Sequence, residues 1–506
     1  MNLSLRLAEL GRMSPGHEAL IYYDQRLTYS HLNTMVNKLA NGLTKLGLLP
    51  GDRVILALSN CPEFIISYYA IMRIRAVVVP INNQYTINEI GIIVRDSSPA
   101  AVITDEKLLP SFSKLSAETP IDRGIIIIRS FPEGKNIHSF TTLMDQGEPE
   151  YRSGAEYQRD EVVELLYTSG NSGSPKGAML TQNNLYSNAL TFVQVNNFTP
   201  DDRSLLVAPA FHAAAQTCVM NATIVSGATM VVHDGWVGPE ALLKAIQDEK
   251  ITFYFGPPTM YALLVNHPNT EKYDTGSWKI AYTGSSALSI DIFNNFEKKF
   301  GFQITEGYGL TETSPVVTSN PVHGLKKPGS IGLPIPGVEV KIVDYEDHEM
   351  PPGEIGEILV KGPNVMKGYF NREEETQWVM RNGWFHTGDL AYKDTDGYLF
   401  IVDRKKDLII RGGLNIYPRE VEEALYTHPK VFEVAVVGVP DPVMGEEVLA
   451  FVLLRNGDKV DPEELKEYCK DKLARYKIPK YIRFVENLPK TTSGKLLKGA
   501  LRKMLD

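Results

Sequence analysis

Leu3, Leu7 and Leu10 recur at helical spacing in "MNLSLRLAELGRM", with Arg6 and Glu9 between them. That pattern predicts an amphipathic helix laid on the body of the protein. The next long pattern, "TYSHLNTMVNKLANGLTKLG", keeps the helical period and stops at Gly47, a residue suited to a helix C-terminus. Then the pattern changes. "DRVILAL", "AVVVPIN" and "PAAVITD" are short apolar runs of the kind that make buried strands. "LLVAPAF", "ATMVVHD" and "ITFYFGPP" repeat that character, the last two separated by the helical "GPEALLKAIQDEK". Strands alternating with helices predict an α/β fold with doubly wound parallel sheets.

From about residue 325 the apolar runs are separated by Pro/Gly turns: "GVEVKIVD", "GEIGEILVKG", "GYLFIVD". This predicts an antiparallel sheet or a small barrel. "DRKKDLIIRGGLNIYPREVEEAL" then presents a charged break, a strand, a Gly pair and a helix. "VFEVAVVGVP", "EVLAFVLL" and "DPEELKEYCKDKLARY" follow in a different style. A domain boundary is expected at Asp403 to Lys406; a surface turn within one domain is the plainer alternative. At 506 residues the chain is too long for one core, so at least two domains are expected.

Composition changes this picture little. Hydrophobic residues make 43% and charged residues 22%, ordinary for a globular protein, and the net charge of -9 argues against a nucleic-acid partner held by bulk charge. An anionic ligand must be held by local positive charge and backbone amides. Cys61, Cys218 and Cys469 form no CxxC pair, which fits a reducing compartment. No HExxH-type pairing marks a transition-metal site. Arg6 and Glu9 interrupt any signal-peptide core, and no run approaches the ~18 apolar residues of a membrane span. A cytoplasmic protein is expected, with room left for peripheral membrane contact and for a homodimer.

Chemistry enters with "YTSGNSGSPKGAML", residues 167 to 180. A run of small and loop-forming residues ends in Lys176, which suits a phosphate. "VVELLYTS" before it and "KGAML" after it both look extended, and Thr181 caps a predicted helix. A Walker A loop runs instead into a helix and carries Ser/Thr after its Lys. Here Gly177 follows Lys176 and Pro175 precedes it, so the P-loop NTPase reading fails. In "TEGYGLTETSP", residues 305 to 315, glycines flank Tyr308, so a flat ligand could approach the backbone there. Thr311 adds a hydroxyl and Glu312 a carboxylate fit for magnesium. "GWFHTGDLAYKDTDGYLFIVDRKKDLII" contains Asp389 and Arg404, and "LPKTTSGKLLK" places Lys495 behind Thr, Ser and Gly. Each stretch by itself reads equally well as a Gly-rich turn, a hairpin or a solvated tail.

In this order the four stretches resemble the acyl- and aryl-adenylate-forming superfamily: acyl-CoA synthetases, luciferases and adenylation domains of peptide synthetases. The resemblance covers essentially the whole chain. It implies a large N-terminal domain over 1–402, with two doubly wound subdomains and a distorted barrel, a hinge at 403–406 and a small mobile α+β domain over 407–506. It implies that Thr168, Ser169, Gly170, Asn171, Ser172, Gly173 and Lys176 handle the ATP β- and γ-phosphates. Asn171 stands where many relatives have Thr. Tyr308 would stack on adenine, with Gly284, Ser285 and Ser286 lining the base and Glu306, Gly307 and Gly309 beside it. Relatives more often read Gly-Gly-Ala-Pro where this chain has "GSSAL". Thr311 would touch the α-phosphate, Glu312 hold Mg²⁺, and Asp389 and Arg404 bind the ribose. Lys495 would act on the attacking carboxylate. Rotation about Lys406 would then bring Gly412 and Gly413 to the pantetheine arm of coenzyme A.

The resemblance also lines the acid pocket with His212, Ala213, Ala214, Ala215, Gln216, Trp236, Pro258, Gly307, Gly309, Ser314 and Pro315. These are small and mostly apolar, so an apolar acid is expected, a medium- or long-chain fatty acid first. An aryl acid of benzoate or cinnamate type is the alternative, and an adenylate ligase or luciferase-like enzyme that does not use CoA is another.

Overall fold

The computed structural model describes residues 2–131, 134–152, 156–168, 175–455, 457–490 and 496–504. The chain divides into two compact units, Met1–Glu339 with Val360–Phe385, and Val340–Leu359 with His386–Asp506. The first unit holds the alternating pattern. Its seven-stranded sheet runs in the order Ile137–Ser139, Ile125–Ile127, Ala101–Thr104, Arg53–Ala57, Val77–Pro80, Val162–Thr168, Lys176–Thr181. All neighbours are parallel except the last pair. Its nine-stranded sheet has a parallel centre and antiparallel pairs at both edges. The apolar runs are the central strands, as buried-on-both-faces sequences must be: Val77–Pro80 and Ala101–Thr104 are buried throughout.

The N-terminal pattern forms the helix Leu3–Met13, with Leu3, Leu7 and Leu10 buried. Arg73, on the helix Pro62–Arg73, buried at every position except Glu63, ties it down. Its guanidinium donates to the Ser4 hydroxyl at 2.9 Å, to Asn33 at 2.7 Å and to the Ser4 carbonyl. A buried arginine without a carboxylate is tolerable because neutral acceptors surround it; burial lowers its pKa to about 10, so it stays charged at neutral pH. The second predicted helix spans Tyr29–Lys45, and Gly47 lies just past it at φ +94°.

In the second unit, Glu339–Val343, Gly356–Lys361, Phe385–Lys393 and Leu399–Arg404 form one sheet, whose first strands begin or end in the first unit. A second sheet is built on the long antiparallel pair Val431–Asp441 and Gly445–Leu454, with the helices Pro418–Tyr426 and Pro462–Cys469 following the predicted segments.

One buried group stands out. Glu164, in the strand Val162–Thr168, is fully buried and accepts a hydrogen bond from the Tyr68 hydroxyl at 3.1 Å. Burial raises its pKa to about 8, and the Tyr68 and Gln216 contacts oppose that only in part. Between the unfolded value of 4.5 and about 8, the folded protein keeps a proton that the unfolded chain releases. Stability therefore falls as pH rises through that window and levels off above it. E164Q is a neutral isostere that does not titrate. Its melting temperature relative to the native protein should rise between pH 5 and pH 8; an equal difference at both pH values would show that this carboxyl does not titrate there.

Candidate active site

The strands flanking the phosphate-type segment form an antiparallel pair. Thr168 pairs with Lys176 across antiparallel strands, which agrees with the expected strand-to-strand connection and with no Walker A helix. Ser169, Gly170, Asn171, Ser172 and Gly173 lie outside the described residues. Thr181 caps the helix Gln182–Val195 and exchanges hydrogen bonds with Asn184, 2.8 and 3.2 Å long. Gly177 packs closely: a Cβ there would crowd the Tyr167 ring at 3.1 Å. Beside this strand runs the segment 367–370, with Phe370 N–H donating to Gly177 at 2.8 Å and Met179 N–H to Gly368 at 2.9 Å.

That neighbour carries Tyr369, which the sequence reading missed. Its hydroxyl donates to Glu312 Oε1 at 2.8 Å, and Lys176 Nζ lies 5.3 Å from its ring centroid. The phenol is pushed far up by burial and by Glu312. Lys176 is also ion-paired with Glu375. Burial lowers the Lys176 pKa; Glu312 opposes the shift and Arg372 adds to it. So the structure brings Lys176 and Glu312, far apart in sequence, to one tyrosine, Lys176 over its ring and Glu312 at its hydroxyl.

Glu312 is buried within the turn Thr311–Thr313, with Thr311 half-buried beside it. Buried amides fix that turn. Asn364 donates to the carbonyls of Thr313 and Val316, both at 3.0 Å, and Asn188 donates to Val316 at 2.7 Å. Among the described residues no group of three or more His, Cys, Asp or Glu could hold a metal. A single fixed carboxylate nevertheless fits Mg²⁺, which takes one or two carboxylates and fills its octahedron with phosphate oxygens and water.

Tyr308 lies half-buried on the strand Thr305–Gly309, paired with Thr318. The flanking glycines also have a steric reason. A Cβ on Gly307 would meet the Tyr282 hydroxyl at 2.1 Å, and one on Gly309 the Pro315 carbonyl at 1.7 Å. Protein therefore already fills the Cβ direction at both positions. Glu306 is buried and accepts from Leu288 N–H at 3.2 Å, which draws the Gly284–Ser286 turn against this strand. Ser285 sits at φ +70°, an uncommon conformation for a residue with a side chain.

His212 caps the short helix Ala213–Ala215, its Nδ1 accepting from Ala214 N–H at 3.3 Å, so the proton is carried on Nε2 when the ring is neutral. A π-helical turn, Gln216–Asn221, follows directly, and Gln216 is buried with neither amide atom in an ordinary hydrogen bond. Thr217 donates to the Ser314 carbonyl at 2.7 Å, joining this segment to the one after Glu312. Pro258 is buried at the start of its helix, and Trp236 packs on the core next to the nine-stranded sheet.

In the second unit Asp389 and Arg404 face each other across paired strands, with 3.2 Å between Oδ1 and Nε. Glu357 accepts from Gly388 N–H at 3.1 Å and from Lys405 Nζ at 2.9 Å, holding the turn before Asp389 and the residue after Arg404 at once. Burial and Arg404 lower the Lys406 pKa. Gly412 and Gly413, at φ +57° and +81°, make a two-residue hairpin turn between Ile409–Arg411 and Leu414–Ile416. Two positive φ values define the type I′ turn, which glycine satisfies without strain. Lys495 lies outside the described residues.

These features define a nucleotide-handling enzyme of α/β architecture, and comparison with known proteins places it. A model of the AMP-binding enzyme family matches residues 7–370, and a model of the AMP-binding enzyme C-terminal domain matches residues 420–495. The chain belongs to the AMP-binding enzyme family. It is 40% identical to a long-chain-fatty-acid–CoA ligase of Bacillus subtilis (strain 168), over 96% of this chain and 91% of that one. It is 38% identical to a feruloyl-CoA synthase of an Amycolatopsis species, over 97% and 96%. Its fold matches the crystal structure of ATP-bound MatB from Rhodopseudomonas palustris with a TM-score of 0.92 at 33% identity, covering 100% of this chain and 99% of that one. The protein is an acid–CoA ligase that works through an acyl-adenylate and uses ATP and coenzyme A.

The Gly pair generates a prediction. A Cβ on Gly413 would meet nothing within 4 Å, so a substitution there is opposed by backbone conformation and not by a clash. Gly413→Asn, which tolerates the left-handed region, should melt close to the native protein. Gly413→Leu should be less stable by ~1–2 kcal/mol. A Leu variant with native melting behaviour would remove the turn as the reason for this glycine.

Proposed function

We propose that the acid is a medium- or long-chain fatty acid. The observation that carries this reading is the apolar, buried turn Ala213–Ala215, joined through Thr217 to Ser314, with no charged side chain in the candidate lining. The 40% identical fatty-acid ligase supports it. An aryl acid is the second reading. Gln216, buried without an ordinary hydrogen bond and next to Glu164, favours an acid with a polar ring substituent, as does the 38% identical feruloyl-CoA synthase. Chain length is weakly discriminated, since one methylene in an apolar pocket is worth ~1–3 kcal/mol. A panel of alkanoic acids and of benzoates and cinnamates, scored for pyrophosphate release and CoA consumption, tests the reading. The alkanoic series should give the higher kcat/KM, rising with chain length. A maximum on a hydroxycinnamate would replace it with the second reading.

The residues divide the work as follows. A carboxylate oxygen attacks the α-phosphorus of ATP and pyrophosphate leaves. Both reactants are anions, so positive charge is needed where charge collects. Lys176 serves the leaving phosphates together with Thr168, Ser169, Gly170, Asn171, Ser172 and Gly173. Lys495 serves the attacking side, and Thr311 contacts the α-phosphate. Glu312 would hold Mg²⁺, which when bound would neutralise charge at the phosphate oxygens. Tyr308 and the Gly284–Ser286 turn receive adenine, Asp389 and Arg404 receive the ribose, and His212 borders the two substrates. In the second step the CoA thiol sulfur, having given up its proton, attacks the acyl carbonyl and AMP leaves. No enzyme nucleophile takes part, which suits a chain whose three cysteines are buried.

Residues 407–506 would turn about Lys406 between the steps, exchanging Lys495 for the Gly412–Gly413 segment. Such a turn must break contacts that cross the hinge: Arg419 N–H to Asp403 at 2.8 Å, and the Arg419 side chain to the Ile401 carbonyl at 3.0 Å. Three reduced, buried cysteines support a cytoplasmic location, and among the described residues no helix is long and apolar enough to cross a membrane.

Lys495→Ala should lower the rate of adenylate formation while a supplied acyl-adenylate is still converted to acyl-CoA. Separate single-turnover assays of the two half-reactions decide this. Equal loss of both, in a protein with native melting behaviour, would end the assignment of Lys495 to the first step alone.

A further inference from the structure

Lys176 does not wait for phosphate with its charge uncompensated. Its amine is ion-paired with Glu375 Oε2, and its side chain is only 13% exposed. The other oxygen of Glu375, Oε1, lies 3.8 Å from Arg372 Nε. Arg372 is itself anchored, 3.2 Å from Asp96, which accepts a 2.7 Å hydrogen bond from the Tyr167 hydroxyl. One carboxylate therefore serves two cations, and one of the two has a second acceptor. If Lys176 moves away, Glu375 keeps Arg372 and is not left as an isolated charge.

We propose that Glu375 is a positioning residue of the nucleotide site, an internal anion that holds Lys176 in the free enzyme and that the ATP polyphosphate displaces. The inference rests on reading Lys176 as a ligand of the outer phosphates. Its physical basis is competition. A polyphosphate must take the lysine from a carboxylate that already neutralises it, so part of the attraction to ATP is offset by the ion pair lost. In return, the amine is kept against the Tyr369 ring, whose hydroxyl holds Glu312, so the cation and the metal-binding carboxylate stay in a fixed relation before substrate arrives. Removing Glu375 removes the competitor and leaves Tyr369 and Glu312 in place.

The test is binding of ATP and of AMP, each with Mg²⁺, to the full chain by isothermal titration calorimetry, so that it does not depend on turnover. E375Q should bind ATP about two- to fivefold more tightly, the range for a partly exposed ion pair, and AMP unchanged, since AMP lacks the phosphates that Lys176 serves. The gain should shrink in high salt. The neighbouring Glu374, exposed, is the control, and E374Q should bind both nucleotides as the native protein does. In a K176M background E375Q should have no effect on ATP. Unchanged or weaker ATP binding by E375Q overturns the proposal, as does a gain that persists with K176M, which would reflect general loss of negative charge. If K176M weakens ATP binding and E375Q does not tighten it, only the role of Glu375 fails. If K176M binds ATP as the native protein does, the phosphate-site reading of Lys176 fails and this proposal with it.

Discussion

The antiparallel pairing of Lys176–Thr181 with Val162–Thr168 is the constraint on which the nucleotide end of the molecule depends. It sets an antiparallel strand at the margin of an otherwise parallel sheet, and its register puts Thr168 opposite Lys176. Successive side chains of a strand point to opposite faces, so a slip of one residue would turn Lys176 away from Tyr369 and bring Gly177 to its place. The register is defended from both ends. Gly177 fits against Tyr167 where a Cβ would crowd the ring, and Asn184 at the following helix donates to the carbonyls of Pro363 and Val365 at 2.8 Å each. The same amide thus positions the segment that leads to Tyr369.

Around that strand, the site is held by neutral donors more than by charge. Asn184, Asn188 and Asn364 are all buried, and all spend their amides on backbone carbonyls of the turns that carry functional groups. A buried amide that meets its partners specifies one backbone path, and an alternative path would leave it unpaired at a cost of about 1–3 kcal/mol. This leaves the charged groups, Lys176 and Glu312, free of structural duty beyond their contacts with Glu375 and Tyr369, so their charge can be used on a substrate.

The second unit applies charge differently. Arg404, Lys405, Lys406 and Asp407 are consecutive; Arg404 pairs with Asp389, Lys405 with Glu357, and Asp407 with Arg502 at 2.9 Å, all in the same unit. Asp407 and Arg502 lie on the same side of the proposed pivot and would move together. Asp403 and Arg419 lie on opposite sides, so the proposed rotation would break and remake their contact. That contact is a single hydrogen bond from the Arg419 backbone N–H to the buried Asp403 carboxylate.

Local physics made much of this readable from the chain. The helical period of Leu3, Leu7 and Leu10, the apolar runs of the central strands and the capping threonine at Thr181 each report a force that acts between near neighbours, and each element formed where its pattern lies. The order of the four site motifs identified the family for the same reason: the chemistry needs those residue types wherever the fold places them. Tertiary structure decided what the motifs touch. No local signal marks Tyr369 as the bridge between Lys176 and Glu312, or Glu375 as the lysine's partner among three consecutive glutamates, because both follow from the packing of 367–370 beside 177–179. The glycines show the same division. Their positions were plain in the sequence, but only the structure separates Gly307 and Gly309, excluded from carrying a Cβ by Tyr282 and Pro315, from Gly412 and Gly413, required by the positive φ of a hairpin turn. Spacing along a chain records local geometry, while the steric reason for a missing side chain lies in residues brought there by the fold.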